Sequence, residues 1–227
     1  MSYTEEFAAV ELLLNSKHET RGVDAFALSL IKAERQMRRL VTYLVYQSPC
    51  FASGDAKRLR DTLQESRNVY FDGLEHGFDA LYRRSVRDLV GRDYDTLKGR
   101  LRTAGRYRNK IFHGQLTAEY LSRDDLLGYV RDIRKWCETL ATAAAAEIGY
   151  DGFGRNSFRK CAIPDFHKRL NVQFASADGY AAFIRENMER RGPRGAEGRG
   201  TGCGETSAKA DKIIARYPQT LSKLGNE

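Results

Sequence analysis

Residues 23–47 read VDAFALSLIKAERQMRRLVTYLVYQ, and within them Phe26, Leu30, Ala33, Met37, Leu40 and Leu44 recur at steps of four, three, four, three and four. That rhythm keeps one apolar stripe on a helix of 3.6 residues per turn. It is also the spacing of helices packed nearly parallel in a bundle. Ser48-Pro49 supplies the stop, because the residue before a proline is pushed out of the helical region. Leu126, Val130, Ile133, Cys137, Leu140 and Ala144 repeat the same pattern, with Ser122 as the N-cap and Asp124 and Asp125 in the first turn. Two long helices with matching seams predict an all-α fold, a bundle of about four to five long helices followed by a C-terminal extension.

The remaining segments fit around that pair. A first helix is predicted over 4–18, with Thr4 as N-cap, Glu5 and Glu6 complementing the helix dipole, and Phe7, Val10 and Leu14 facing inward. A connector helix covers 55–66, and a further amphipathic run covers 69–90. In that run Gly73 and Gly77 lower helix propensity but permit close backbone approach. His76, between them, reads as a surface or interface histidine. The organisation expected is a helical bundle over 1–149, a basic, aromatic-rich extension with one helix over 150–191, and a Gly-rich linker and tail over 192–227. The extension's helix runs from Asp178 to about Arg191 with Ala181, Ile184 and Met188 inside. The linker, with Gly192, Gly195, Gly198, Gly200, Gly202 and Gly204, has too little apolar surface to order itself.

Four cysteines, Cys50, Cys137, Cys161 and Cys203, lack paired spacing and read as free thiols in a reducing compartment. The N-terminus has no basic segment followed by an apolar core, and no apolar run approaches bilayer length, so a cytoplasmic protein with no membrane association is expected. Lys and Arg number 38 against 30 Asp and Glu, a net charge of +8. Such a field favours polyanions, nucleic acid foremost. In the extension, aromatics interleave with Arg155, Arg159, Lys160, Lys168 and Arg169; they could stack on unpaired bases or dock the arm onto the bundle. Trp136 likewise reads as a core anchor or a stacking platform, and His167 as a remote catalytic candidate.

The chemistry concentrates in Arg108-Asn109-Lys110-Ile111-Phe112-His113, ahead of Gly114. Histidine moves protons near neutral pH, and arginine holds a phosphate through parallel hydrogen bonds while stabilising transition-state charge. Asn109 could orient either one. The helix carrying them is predicted from Asp93 or Thr96 to His113. Leu97, Leu101, Ala104, Arg108 and Ile111 share one stripe, so Arg108 sits within an apolar face. A guanidinium there needs an acidic partner, from a neighbouring carboxylate, a second subunit or a phosphate. Glu34, among Arg35, Arg38 and Arg39, is the candidate supporting acid, or else a solvated surface carboxylate. Arg102, Arg106, Asn109 and His113 form a second, polar stripe with Lys110 at its margin. These cations would track a phosphate backbone.

This stretch resembles the signature of the HEPN superfamily, all-helical domains many of which are metal-independent ribonucleases. The family pattern is an arginine, four to six residues and a histidine, with asparagine, aspartate or histidine favoured just after the arginine. Arg108, Asn109 and His113 match it, late in a series of amphipathic helices and before one more long helix. The resemblance covers about the first 150 residues. It implies an endoribonuclease without cofactor or metal, acting as a toxin or phage-defence effector. His113 would be the general base or acid for attack by the ribose 2′-hydroxyl, with Arg108 on the scissile phosphate. Some family toxins carry a tyrosine two residues after the histidine, which a partner nucleotidyltransferase modifies. Here that position is Gln115, with Tyr107 and Tyr120 nearby.

In an ideal helix the five steps from Arg108 to His113 amount to about 140° of rotation, so the two side chains diverge. Pairing the helix with a two-fold copy brings arginine and histidine from both chains into one cleft, in keeping with the dimeric active sites of the family. The partners expected are therefore RNA, a second copy of the chain, and an antitoxin or defence partner protein. The alternative is a non-catalytic module of the same fold that binds RNA, a nucleotide or a protein.

Overall fold

The computed structural model describes residues 2–66, 68–112, 121–154 and 156–189. Its helices are α1 (Tyr3–Asn15), α2 (Arg21–Tyr46), α3 (Ala56–Glu65), α4 (Phe71–Leu81), α5 (Val86–Val90), α6 (Tyr94–Phe112), α7 (Arg123–Ile148) and α8 (Ala177–Asn187). Among the described residues extended pairing is confined to two isolated bridges, Val69 with Glu189 and Tyr82 with Leu170. The fold is all-α, with more helices than the four or five anticipated.

The two helices with matching seams form its centre. All six seam residues of each are buried. Their register follows from three contacts: Phe26 meets Tyr129 edge to face at 6.0 Å, Gln36 Nε2 donates to the Cys137 carbonyl at 3.0 Å, and the Tyr43 hydroxyl donates to the Ile148 carbonyl at 3.0 Å. Residue numbers rise together on both sides, so α2 and α7 run parallel. Helix α6 runs against α7 instead: Tyr94 packs on Trp136, while Tyr107 packs on Tyr129. Trp136 is fully buried, the core anchor of its two readings.

Local chemistry sets the helix limits. The cap of α1 is Ser2 rather than Thr4: its hydroxyl accepts the Glu5 N–H, and Glu5 reaches back to the Ser2 N–H. The following Glu6 is buried rather than simply facing the dipole. It pairs with Lys32 at 3.0 Å and Arg35 at 3.1 Å. The run 69–90 breaks in two because Tyr82 turns extended to bridge Leu170, and a second capping box, Ser85 with Asp88, starts α5. Ser122 caps α7 as the sequence indicates. The cap of α8 is Ser176, and Ala177, Tyr180, Phe183 and Ile184 are its buried residues, with Met188 buried just past its end; Ala181 is only half-buried.

The segment after α7 docks on the bundle. Tyr150 stacks on Tyr43 at 4.8 Å, and Phe153 is buried against Phe7 and Tyr3. Lys160 donates its ammonium to the carbonyl of Tyr46, the last residue of α2, and to that of Ser48 just beyond it, and Arg159 donates to the Gly149 carbonyl. Of the two uses open to these aromatics and cations, docking is the one seen. Arg155, Arg190, Arg191 and the glycine-rich tail lie outside the described residues. No helix among the described residues is long and apolar enough to cross a membrane.

Candidate functional site

Helix α6 buries Leu97, Leu101 and Ala104 on the stripe that also carries Arg108 and Ile111. The apolar face thus leads up to a guanidinium, and Arg108 retains 30% of its side-chain exposure. Among the described residues its partners are two. Nε and Nη2 donate to Asn109 Oδ1 at 3.2 and 3.0 Å. Nη1 stands 3.7 Å from Glu34 Oε2, inside electrostatic range but beyond a hydrogen bond.

Glu34 comes from α2 and is equally half-covered. Its Oε1 accepts from Arg38 Nε at 3.2 Å and Nη2 at 2.9 Å, and the same Nη2 donates to the Val69 carbonyl at 3.1 Å. One carboxylate therefore lies between two guanidiniums and is bonded to only one. Arg108 keeps terminal N–H groups that no hydrogen bond among the described residues engages. An oxyanion approaching that end would find donors already oriented.

On the other stripe, Arg102 and Arg106 project into solvent and Asn109 is exposed, while Lys110 is half-buried. Arg102 lies 3.7 Å from Asp72, and Arg106 donates to Thr103 Oγ1 at 3.2 Å. Asp72 also holds Lys98 at 2.5 Å. Burial pushes the Asp72 carboxyl upward, but the Lys98 bond and the charges of Lys98 and Arg102 outweigh it and leave it below the ordinary carboxylate range. Lys98 reaches Glu75 as well, and Glu75 accepts from the Tyr94 hydroxyl. This buried cluster pins the first turns of α6 to α4. The far end of the helix, with Arg106, Asn109 and Arg108, is left at the surface.

The structure brings Arg108, Asn109 and Glu34 together and sets Arg102, Arg106 and Lys110 on the neighbouring faces of the same helix. His113, Gln115 and Tyr120 lie outside the described residues. His76 is exposed on α4, and His167 lies in a short turn at Phe166–Arg169.

No family model, curated protein or solved structure matches the chain.

A further group of cations was visible only in part from sequence. Arg35, Arg38 and Arg39 of α2 face Arg60 of α3 across a cavity of about 620 Å³. The sequence signal was the row Arg35, Arg38, Arg39 and Thr42, which shares one face of α2. Nothing in it names α3 as the opposite wall.

Proposed function

We propose that the chain is a metal-independent endoribonuclease of the HEPN type, a toxin or defence effector that works as a homodimer with a composite site. The observation that carries this reading is the state of Arg108. It lies at the end of a buried stripe, oriented by Asn109 and held at 3.7 Å from Glu34 rather than locked in a short bidentate pair. Electrostatic stabilisation by a preplaced donor needs a charge that is held in position yet still open to substrate. Arg108 would bind the scissile phosphate, and His113 would move the proton of the 2′-hydroxyl. Arg102, Arg106 and Lys110 would steady the flanking backbone through charge. The requirement for a 2′-hydroxyl predicts that RNA is cut and DNA spared.

The test is incubation of the purified protein with a defined RNA in EDTA, followed by mapping of the ends. Cleavage leaving cyclic or simple phosphate ends, lost in His113→Ala, is the expected result. Cleavage undiminished in that variant would overturn the assignment.

The Glu34 contact favours one second reading, in which Arg108 is a structural ion-pair member and the same face binds RNA or a partner without cutting it. RNA shifted on a gel with unchanged length over hours would select it.

A further inference from the structure

The cavity between α2 and α3 is walled by four segments. Arg35, Arg38, Arg39 and Thr42 come from α2, and Arg60, Leu63 and Gln64 from α3. Ser66, Val69 and residues 156–158 complete the lining. Among the described residues four guanidiniums line it and no carboxylate does.

Two of the four are spoken for. Arg35 shares Glu6 with Lys32, and Arg38 is held by Glu34. Among the described residues the other two have only neutral partners: Arg39 donates to the Phe153 carbonyl at 2.9 Å, and Arg60 lies over the Phe158 ring at 5.5 Å. Gathering like charges around one space is unfavourable unless water or an anion fills it. Arginine is also the side chain best shaped to grip phosphate oxygens in pairs.

We infer that this cavity is a binding site for a compact polyphosphate of nucleotide size, with Arg39 and Arg60 as its principal anion ligands. The volume lies within the range of small-ligand pockets. The high density of cations calls for several negative charges on one small molecule, which a nucleoside polyphosphate has and a single nucleotide link does not. Leu63, Val69 and Phe158 provide apolar surface for the rest of the ligand. This site shares no residue with the Arg108 cluster except through Glu34, which Arg38 holds, so it stands or falls independently of the nuclease reading.

Calorimetric titration of the full chain with inorganic tripolyphosphate, ATP, AMP and a short 2′-deoxy oligonucleotide tests it. Tripolyphosphate and ATP should bind at least tenfold more tightly than AMP, and ATP should raise the melting temperature. Arg39→Ala and Arg60→Ala should each weaken ATP binding at least fivefold, with Arg60→Lys recovering part of the loss. Arg60 is exposed, so its variants are expected to fold even if Arg39→Ala does not. Undetectable polyphosphate binding at physiological salt, or ATP affinity unchanged by Arg60→Ala, would overturn the inference. So would an Arg60→Ala defect in oligonucleotide binding without any measurable ATP binding, which would make the cavity part of a strand path.

Discussion

Glu34 Oε2 lies 3.7 Å from Arg108 Nη1, while its other oxygen takes both donors of Arg38. The carboxylate is thus tied to its own helix and lends α6 only a field. Its bond to Arg38 is an i,i+4 pair along α2, so Glu34 stays in place whether or not Arg108 moves toward a ligand.

Arg108→Ala follows from that arrangement. Both partners are about a third exposed, and pairs of this kind contribute roughly 0–1 kcal/mol. The melting temperature, followed by circular dichroism, should fall by only a few degrees. RNA cleavage should fall by about a hundredfold or more, and Arg108→Lys should not restore it, because an ammonium lacks the planar fork. A large loss of stability with cleavage retained would favour the ion-pair role.

The centre of the fold was legible because the seams of α2 and α7 keep one period over their whole length with no proline to break it, and Gly128 of α7 falls between seam positions. The need for an acid near Arg108 was legible for a related reason: its place on the stripe of Leu97, Leu101 and Ala104 puts a charge beside a core. Other features depended on residues far apart in sequence. Glu6 near the start of a helix reads as a dipole partner until Lys32 and Arg35 are seen across it. The break at Tyr82 needs Leu170, and the arginine cavity needs α3 and residues 156–158 to face α2. Periodicity reports which face is buried, not what covers it.

Gly73 and Gly77 give a test in which sequence propensity and packing predict opposite signs. Alanine in a helix is worth about 1 kcal/mol over glycine. A Cβ at Gly73, however, would lie 1.9 Å from the Met188 carbonyl oxygen, a backbone atom at the end of α8. Gly73→Ala should therefore destabilise the protein by about 1–3 kcal/mol, the usual cost of overpacking, in urea denaturation. At Gly77 the added carbon meets Met188 Cγ at 2.7 Å, part of a flexible side chain. Gly77→Ala should cost less than Gly73→Ala, and equal effects would contradict this account of how α4 and α8 meet.

The start of α7 rests on a capping box. The Ser122 hydroxyl accepts the Asp125 N–H at 3.2 Å, and the Asp125 carboxylate accepts the Ser122 N–H at 3.0 Å. Ser122→Ala should cost about 1 kcal/mol in the same denaturation assay, with Ser122→Asp close to wild type. A neutral Ser122→Ala would show that burial along the seam fixes the first turn of α7 without its cap.

Acid stability follows from two carboxylates with the same sign of shift. Hydrogen bonding by the Tyr82 hydroxyl outweighs burial and, with the Arg84 bond and the Arg83 guanidinium 3.6 Å away, lowers the Glu147 carboxyl. Burial pushes the Asp72 carboxyl up, but the Lys98 bond and the charges of Lys98 and Arg102 together bring it below the ordinary range. For groups depressed in the folded state, the stabilising contribution is complete above the unfolded value, roughly 4, and is lost as pH falls through the lower folded values. Asp79 opposes them: burial raises its carboxyl despite the Val86 N–H bond, so its ionisation weakens the fold as pH rises. Glu147→Gln should lower the melting temperature at pH 7 and have less effect below pH 3 or so, whereas Asp79→Asn should raise it at pH 7. Melting curves across that range check both, and a Glu147→Gln deficit that does not shrink in acid would contradict the assigned bonds to Tyr82 and Arg84.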